Sequence, residues 1–339
     1  MLEALKELCK LSGVSGREDN VRNYILNRIC PFCDVTFDAL GNIIAFVKGK
    51  KRAAKRVMVD AHMDEVGFII TAVTDDGLLK FETVGGIDTS VLLARRVIIG
   101  GGVVGVISMK PIHMLKGDEK KKYPEKGELY IDIGAVDKGQ ALELVSPGDV
   151  AVFDVGFQES GDMLLSKALD DRAGCAALID IIENGPEYDF YATFTVQEEV
   201  GLRGAKTAAF SVDPDYSIVF ESTTAADIAG VPDDKKVCLI GKGATVSFMD
   251  SATLYDKELF DKTLQVAEKK NIPCQVKCYV SGGNNAGAIH LSRSGVKTVA
   301  ISVPCRYIHS PSSIASFKDI EAVRNLGEAM LEVLASGDK

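Results

Sequence analysis

The sequence lacks the features of a membrane protein or a nucleic-acid-binding protein. It contains no uninterrupted apolar stretch near the length of a membrane span. Its 48 Asp and Glu outnumber its 39 Lys and Arg, which gives a formal net charge of -9 at pH 7. Because phosphate binding needs clustered basic side chains, we predict neither nucleic acid nor membrane as a partner. The basic run at 116–126 is interleaved with acidic residues and predicts a solvated loop.

Low-complexity tracts and paired cysteine motifs are also missing. Of the eight cysteines, only Cys30 with Cys33 and Cys274 with Cys278 are close neighbours in sequence. Without a second CxxC at finger-like spacing, these residues predict reduced thiols rather than a zinc finger or a disulfide framework. Residues 1–13 have the spacing of an amphipathic helix and lack the apolar core of a signal peptide. We therefore predict a cytoplasmic protein.

The pattern of helices and strands changes twice along the chain. A length of 339 residues permits two domains. From 68 to about 161 the sequence shows short alternating strands, many glycines and almost no helical periodicity. On either side of this region, helices and strands alternate, which predicts an α/β domain with a mixed sheet flanked by helices. We therefore predict a discontinuous α/β domain, 1–67 with 162–339, split by an inserted all-β domain at 68–161.

Individual elements of the α/β domain follow from periodicity and capping signals. Ser316 with Asp319 three residues later predicts a capping-box-like start of the last helix. The other predicted helices lie at 1–13, 17–29, 171–183 and 256–269, after Gly204 and after Asn285, and the predicted strands at 35–37, 43–47, 190–196, 217–220 and 296–303.

Metal-capable side chains follow several of the apolar, strand-like stretches. In α/β sheets ligands bind at the carboxyl ends of the strands, so residues that are distant in sequence can converge there. Asp170 lies where a loop enters a helix and is a further candidate. Two histidines with three or four carboxylates suit a pair of divalent cations such as zinc. The residues that follow strands are His62, Glu198, Glu199, Glu221 and His309.

His62 and the adjacent glutamates carry the most specific signals. One ring nitrogen of His62 can bind a metal while a carboxylate holds the other, and Asp64 is placed for that task. Two adjacent carboxylates repel each other unless they reach different partners. Glu198 and Glu199 can therefore divide into one ligand and one general base that takes a proton from water. The alternatives are a hydrogen-bonded histidine without further role and an exposed acidic turn.

The remaining candidates have plainer alternatives. In Asp170-Asp171-Arg172 one carboxylate could bridge two cations while Arg172 offsets its neighbour, although Asp is also a common helix N-cap. Glu221 is either a terminal ligand or only an acid at a strand end, and His309 could complete the second cation site. The two other histidines, His113 and His290, have no comparable context, and we interpret them as structural.

The combined motifs resemble the co-catalytic metallo-aminopeptidases of family M42, which include tetrahedral aminopeptidases and proteins labelled glutamyl aminopeptidase or endoglucanase. The resemblance covers essentially the whole chain. It depends on SGVSGRE at 12–18, AHMDEVGF at 61–68, GG at 85–86, KPIH at 110–113, YIDIGA at 130–135, KALDDR at 167–172, QEEVG at 197–201 and RYIHSP at 306–311.

The resemblance implies a fold like that of the dinuclear zinc exopeptidases and a specific division of roles. It implies that the insert acts as a dimerisation domain, that the subunits assemble into a dodecamer with an enclosed chamber, and that the peptide bond between the two aspartates is cis. The resemblance implies that Asp170 bridges two cations, of which one is also held by His62 and Glu221 and the other by Glu199 and His309. It further implies that Glu198 is the general base and that Asp64 orients His62.

Two positions depart from the family pattern as we expect it. Glu221 stands where most members are expected to have Asp, and its extra methylene affects metal preference or occupancy. Asn285, in GGNNAG at 282–287, also stands where Asp is expected, which removes a negative charge near the site. Neither change deletes a coordinating atom at an implied ligand.

The sequence therefore predicts an aminopeptidase with two divalent cations per subunit, zinc foremost and cobalt or manganese as alternatives. A metal-bridging water would attack the scissile carbonyl of a peptide, with Glu198 as general base. A metal-dependent deacylase of N-acyl amino acids and a non-catalytic assembly or binding protein remain as alternatives. A glycosidase could use paired carboxylates but would leave the histidines without a role.

Overall fold

The computed structural model describes residues 1–100, 102–114, 116–117 and 122–337. The predicted loop at 116–126 therefore lies in part outside the described residues. The helices are α1 (Leu2–Lys10), α2 (Asp19–Ile29), α3 (Lys138–Leu144), α4 (Leu169–Glu183), α5 (Arg203–Val212), α6 (Lys257–Lys269), α7 (Ala286–Ile289) and α8 (Phe317–Ser336).

The strands belong to two separate β structures. Those of the main sheet are β1 (Cys33–Phe37), β2 (Ile43–Val47), β3 (Val57–His62), β10 (Gln158–Ser160), β11 (Met163–Ser166), β12 (Phe190–Thr195), β13 (Tyr216–Thr224), β14 (Ala244–Val246), β15 (Cys274–Val276), β16 (Lys297–Arg306) and β17 (Ser313–Ser316). Those of a closed barrel are β4 (Gly67–Val73), β5 (Leu79–Val84), β6 (Arg96–Ile99), β7 (Val103–Ser108), β8 (Tyr130–Asp132) and β9 (Val150–Phe153).

The centre of the main sheet is parallel and its margins are antiparallel. Strands run in the order β1-β2-β12-β3-β13-β16-β17-β11-β10, with β14 and β15 attached to β16. The neighbours β12, β3, β13 and β16 are all parallel. Their carboxyl ends consequently meet at one edge of the sheet, as the sequence predicted for the candidate ligands.

Alternation along the central strands explains why helices cover both faces. Val57, Val59 and Ala61 of β3 pack into a core with α1, α2, α4 and α8, whereas Met58 packs with α5 and α7 on the opposite face. Successive side chains of a strand point to opposite faces, so a strand buried on both sides reads as a continuous apolar run. The predicted mixed α/β sheet with flanking helices is confirmed.

The barrel has its own core and lies between β3 and α4 in the chain. Its strands follow the order β4-β5-β8-β7-β6-β9, and residues such as Phe68, Phe81 and Phe153 fill its interior. Pairs of these rings meet edge to face. The predicted inserted β domain is confirmed in type, and it also contains the helix α3, which the periodicity did not show. The predicted boundaries at 67/68 and 161/162 stay a prediction.

Several elements differ in detail from the sequence prediction. Strand β10 lies inside the range predicted for the insert but pairs with β11 in the main sheet. The predicted capping box of α8 is absent, because the carboxylate of Asp319 accepts hydrogen bonds from the amides of Gly241 and Gly243 instead. Among the described residues, none of the helices combines the length and the apolar composition needed to cross a membrane.

Candidate metal centre

The candidate ligands come from five segments at the carboxyl edge of the main sheet. His62 is the last residue of β3, and Glu198 and Glu199 follow β12 after Gln197, whose φ is +56°. Two strands are longer than the sequence predicted: β13 extends past Glu221, and β16 ends only at Arg306. His309 lies beyond it in a turn with φ +59°. His62, Glu198, Glu199 and His309 are therefore placed by the end of a buried strand or by the turn that follows it, and Glu221 by the carboxyl-terminal half of β13.

Asp170 occupies the start of α4, where the backbone is not helical. Ala168 has φ +55°, and Asp170 and Asp171 have φ/ψ outside the helical region. The peptide bond between Asp170 and Asp171 is cis, as the family resemblance implied. This backbone path brings the Asp170 carboxylate in front of both candidate histidines.

One group of ligand atoms forms around His62. Its Nε2 lies 3.4 Å from Asp170 Oδ1 and 3.4 Å from Glu221 Oε1. His62 and Glu221 are nearly inaccessible to solvent, at 1% and 6% exposed, and the Asp170 side chain is 12% exposed. A ring nitrogen and two carboxylate oxygens therefore converge at the position implied for the first cation.

A second group forms around His309. Its Nε2 lies 3.0 Å from Glu199 Oε2 and 3.6 Å from Asp170 Oδ2, while its Nδ1 lies 3.1 Å from the carbonyl oxygen of Gly86. The Gly86 carbonyl can accept a proton carried on Nδ1, which leaves Nε2 free as a ligand. The two oxygens of Asp170 thus face different histidines, one in each group.

Asp64 connects the first group to the loop that bears the two glutamates. Its Oδ1 lies 3.4 Å from His62 Nδ1 and accepts the Glu198 amide at 2.9 Å. Its Oδ2 accepts the Glu199 amide at 3.1 Å and the Ser15 hydroxyl at 2.6 Å. Burial opposes the charge on Asp64, but the hydrogen bonds from His62 and these donors lower its pKa below the usual value. Asp64 is therefore an ionised carboxylate that fixes the backbone of both glutamates.

Glu198 differs from its neighbour Glu199 in its surroundings. Its side chain lines a cavity and makes no hydrogen bond or ion pair with any residue in the described part of the chain. Burial, aided by the charges of Glu221 and Glu199, raises its pKa well above the usual value. A carboxylate with a raised pKa that faces a cavity has the properties of a general base.

The candidate site places five carboxyl groups, those of Asp64, Asp170, Glu198, Glu199 and Glu221, beside two histidines, so acidic side chains outnumber basic ones. Burial opposes the charge on Asp170, but the nearby imidazoles of His309 and His62 keep the pKa of its carboxyl group well below the usual range. Burial, with the charge of Asp170, raises the pKa of Glu221 well above its usual value. Burial lowers the pKa of His309, yet Asp170 and Glu199 together raise it to about 11.

Unsatisfied ligand atoms indicate what would balance this charge. Asp170 Oδ1 and Glu221 Oε2 are buried without a hydrogen-bond partner within the described ranges. A buried carboxylate oxygen without a partner is costly, and a bound cation removes that cost. The donor set of imidazole nitrogens and carboxylate oxygens suits zinc and related divalent metals. The residues present therefore fit a divalent-metal site.

Comparison with known proteins agrees with this geometry. A family model described as M42 glutamyl aminopeptidase matches residues 41–326. The lysyl aminopeptidase of Pyrococcus furiosus is 32% identical over 351 residues, which cover 99% of this chain and 98% of that protein. The chain belongs to the M42 family. As an M42 member it is an aminopeptidase, a hydrolase that acts on peptide bonds.

Solved structures extend the agreement to the whole M42 fold. The TET aminopeptidase of a marine sediment archaeon of the Thaumarchaeota superposes with a TM-score of 0.94 at 36% identity, over 98% of this chain and 96% of that one. The Pyrococcus horikoshii TET1 peptidase has a TM-score of 0.85 at 37% identity over 99% of each chain. That peptidase is described as able to assemble into a tetrahedron or a large octahedral shell.

Arg172 does not have the partner that the sequence predicted. Instead of offsetting an aspartate beside it, Arg172 donates to the Leu8 carbonyl at 2.6 Å and lies 3.4 Å from Glu65 Oε1. Lys167 also ion-pairs with Glu65, at 2.8 Å. The prediction was wrong because Arg172 lies on the helical face of α4 that packs against α1, away from the metal-facing edge.

Asp171 is a residue that the sequence analysis left without a role. Its Oδ1 accepts the Gly174 amide at 2.9 Å, and its Oδ2 is buried without a partner among the described residues. With His62 and Glu221 it forms a further triad of ligand atoms that lie within 4.8 Å of one another. We favour Asp170 as the ligand, because Asp171 already caps the first turn of α4 through the Gly174 amide.

Asn285 contacts buried polar residues of the strands β3 and β12 that lead to the candidate ligands. Its amide nitrogen donates to Asp60 Oδ2 at 2.8 Å and to Thr195 Oγ1 at 2.8 Å. Burial raises the pKa of Asp60 to about 6, against the hydrogen bonds from Thr193 and Asn285. A neutral amide at 285 therefore pairs with a buried carboxylate, where an aspartate would place a second negative charge against it.

A cavity of about 180 Å³ opens beside the candidate ligands. It is lined by Asp170, Glu198, Glu199, Glu221 and His309, and also by 222–224, Lys277, 281–284, Ser302 and Ile308. A larger cleft of about 670 Å³ lies at the opposite edge of the sheet, beside Arg52, Lys55 and Arg56. Because the chemistry requires the ligands, the smaller cavity is the candidate substrate site.

Proposed function

We propose that this M42 chain is a dimetal aminopeptidase that releases the amino-terminal residue of peptides. The observation that carries the proposal is the position of Asp170, whose two carboxylate oxygens face two different histidines, 3.4 Å from His62 and 3.6 Å from His309. A carboxylate in this position can bridge two cations. The cavity of about 180 Å³ beside it accepts a side chain adjacent to the reacting bond.

Each cation would have its own histidine and carboxylate in addition to Asp170. His62 and Glu221 would hold one, and His309 and Glu199 the other. Zinc suits these ligands, and cobalt and manganese share much of the same ligand chemistry. When bound, such cations polarise a carbonyl group and lower the pKa of water towards about 7.

Glu198 is the general base in this proposal. Its carboxylate faces the cavity, and the Glu198 amide donates to Asp64 at 2.9 Å, which fixes the backbone from which the side chain extends. Glu198 accepts a proton from the attacking water and passes it to the leaving nitrogen. Asp64 acts as a positioning residue, because it contacts His62 and both glutamate amides but does not face the cavity.

We also propose that the subunits assemble into a dodecamer through dimers of the barrel domain. Support comes from the similar TET1 peptidase, which is described as forming a tetrahedron or an octahedral shell. A tetrahedral shell with a dimer along each edge contains twelve subunits. The barrel also exposes Val104, Val106 and Leu144, at 48%, 39% and 54%. Exposed apolar side chains of this kind are available for burial in an association surface.

Metal content and turnover together test the proposed function. The chain is dialysed against chelator and reloaded with zinc, cobalt or manganese. We expect about two cations per chain and release of the first residue from free-amine peptides in proportion to metal. Turnover that does not track metal would overturn the mechanism. Release from N-acetylated but not from free-amine substrates would instead show a deacylase.

Glu221 and Asn285, the two residues that suggested a non-catalytic protein, have contacts that do not support this alternative. Glu221 retains its oxygen 3.4 Å from His62 Nε2, and Asn285 contacts Asp60 rather than a candidate ligand. Absent metal binding together with absent turnover under all three metals would restore it.

A further inference from the structure

The lining of the cavity outside the candidate ligands is mainly polar and carries one formal charge. It is formed by Ser222, Thr223 and Thr224 of β13, Ser302 of β16, Ile308, and the loop at 281–284. Lys277 is the charged residue among them. A substrate side chain that enters beside Glu221 therefore meets hydroxyl groups and an ammonium group rather than an apolar surface.

The ammonium group of Lys277 is buried and incompletely satisfied. Lys277 is 6% exposed, and its Nζ donates to the Ser281 carbonyl at 2.7 Å. This is its single hydrogen bond within the described ranges, and no carboxylate there lies within 4.0 Å of Nζ. An ammonium group has three donors, so two remain for another partner. Buried charges in proteins are normally paired, which makes this one unusual.

The nearest acidic side chains have other partners. The carboxylate of Asp250 accepts the amides of Ala252 and Thr253 on one oxygen, and the Tyr255 hydroxyl and the Asn284 amide on the other. Glu221 faces His62. Burial lowers the pKa of Lys277, as expected for an ammonium group without a paired carboxylate.

We propose that Lys277 selects peptides whose amino-terminal residue is acidic, by pairing with the side-chain carboxylate of Glu or Asp in this cavity. The inference rests on the proposed function, because it assumes that the first residue of the peptide occupies the cavity. Family membership alone does not decide the preference, since the matching family model is described as glutamyl and a relative as lysyl aminopeptidase. A lysine side chain would place a second cation beside Lys277, which the site would disfavour.

The test compares four substrates on wild type and three variants. Glutamyl, glutaminyl, lysyl and alanyl nitroanilides, of which the first two are isosteric, are hydrolysed by metal-loaded wild type, Lys277→Met, Lys277→Glu and Lys318→Met. Lys318 is an exposed lysine on α8 that pairs with Asp162, and its variant is the matched control. We expect wild type to prefer glutamyl over glutaminyl substrate in kcat/KM by about tenfold or more.

The Lys277→Met variant should lose that preference, so that its ratio of kcat/KM for glutamyl over glutaminyl substrate falls to about 1. Lys277→Glu should favour the lysyl substrate. Equal losses on all substrates in Lys277→Met, or a wild type that prefers lysyl or alanyl substrate, would overturn the inference and leave the proposed function standing.

Direct binding separates the two hypotheses if turnover is absent. Calorimetry with L-glutamate and L-glutamine measures the side-chain pocket without any reaction. We expect L-glutamate to bind wild type about tenfold or more tightly than L-glutamine, and Lys277→Met to bind the two alike. Equal binding of both amino acids by wild type would overturn the role of Lys277 whether or not the chain is active.

Discussion

At the scale of single residues, Glu198 and Glu199 are adjacent in sequence but have different surroundings. Glu199 lies 3.0 Å from His309 Nε2, whereas Glu198 faces the cavity without an ion-pair partner among the residues described. The turn at Gln197, with φ +56°, directs the two side chains into these places. Neighbouring carboxylates can therefore take separate roles, one in binding a cation and one in moving a proton.

The two isosteric amide variants separate those roles. Glu198→Gln should keep its metal content and lose activity by a factor of about 10² to 10⁴, because a general base contributes that much. Glu199→Gln should instead bind metal more weakly, because a neutral amide replaces an anionic ligand. Metal analysis beside kcat for both variants checks this. A Glu198→Gln enzyme that keeps most of its activity, or one that loses metal, would contradict the assignment.

Ser15 is a residue that acts through Asp64. Its hydroxyl donates to Asp64 Oδ2 at 2.6 Å. In the same region, the backbone amide of Gln197 donates to Glu18 Oε1 at 3.1 Å. Ser15→Ala should lower metal affinity or kcat by about tenfold. This is a typical loss when a hydrogen bond that helps to orient a metal ligand is removed. The neighbouring exposed variant Arg17→Ala should leave both unchanged, and Ser15→Thr should restore most of the loss. Equal effects of Ser15→Ala and Arg17→Ala on kcat and metal binding would refute the role.

The pair formed by Arg306 and Asp227 gives a prediction with a defined pH dependence. Arg306 Nε and Nη2 contact the two carboxylate oxygens of Asp227 at 2.5 and 2.9 Å. Burial opposes the charge, but hydrogen bonds from Arg306 and the Ile240 amide hold the pKa of Asp227 below its usual value. The Asp227 carboxylate therefore binds a proton less readily in the folded state than in the unfolded state. The contribution of the Arg306–Asp227 pair to the free energy of unfolding is present near neutral pH and is lost as pH falls through the pKa of Asp227 in the folded state.

Asp227→Asn should therefore destabilise the protein by roughly 1 kcal/mol at pH 7. The difference from wild type should shrink as pH falls below about 4, where the unfolded carboxylate also becomes protonated. Urea unfolding midpoints between pH 7 and pH 3 measure this. A difference that stays constant over the range would show that the charge is not responsible.

At the scale of elements, helix α8 packs unusually close to the sheet at Gly327. A Cβ atom added to Gly327 would lie 2.2 Å from the ring of Phe220, which is fully buried in β13. Elsewhere in a helix, replacing Gly by Ala would be favourable by about 1 kcal/mol. Here the ring has no space to move, because the interior is close-packed.

Gly327→Ala should accordingly destabilise the fold by about 1 to 3 kcal/mol. Glu321→Ala, at an exposed position of the same helix, should change stability by less than about 0.5 kcal/mol. Thermal or urea unfolding of both variants checks the prediction. A stabilised Gly327→Ala protein would show that α8 can shift away from β13.

At the scale of the whole molecule, assembly depends on surfaces that one chain leaves exposed. Val104 and Val106 lie two residues apart on β7, so their side chains share one face of the barrel. We expect Val104→Asp with Val106→Asp to produce smaller particles, because a buried unpaired charge prevents close association.

Sedimentation velocity of this double variant and of wild type measures the particle size, and circular dichroism verifies that the barrel still folds. The matched control is the double variant Leu254→Asp with Leu291→Asp. Both leucines lie outside the barrel and are exposed, at 76% and 72%. Wild-type-sized particles from the barrel variant would show that β7 is not part of an interface.

Much of the molecule could be read from residue patterns. The apolar stretches at 57–59 and 217–220 predict strands, and the change of pattern after Gly67 predicts an inserted β structure. The motifs around His62, Glu198 and His309 predict the family. The cytoplasmic location, the native metal and the effect of Glu221 on metal preference stay predictions.

The sequence by itself determined most of the helices and strands and which side chains follow the strands of the sheet, because hydrophobic period is a local property of the chain. Only the tertiary structure decided which side chains contact each other. Arg172 pairs with Glu65 rather than with its neighbour, Asn285 contacts Asp60, and Lys277 lines the cavity beside Glu221. These contacts join residues tens to hundreds of positions apart, and they depend on how packed helices and strands turn each side chain.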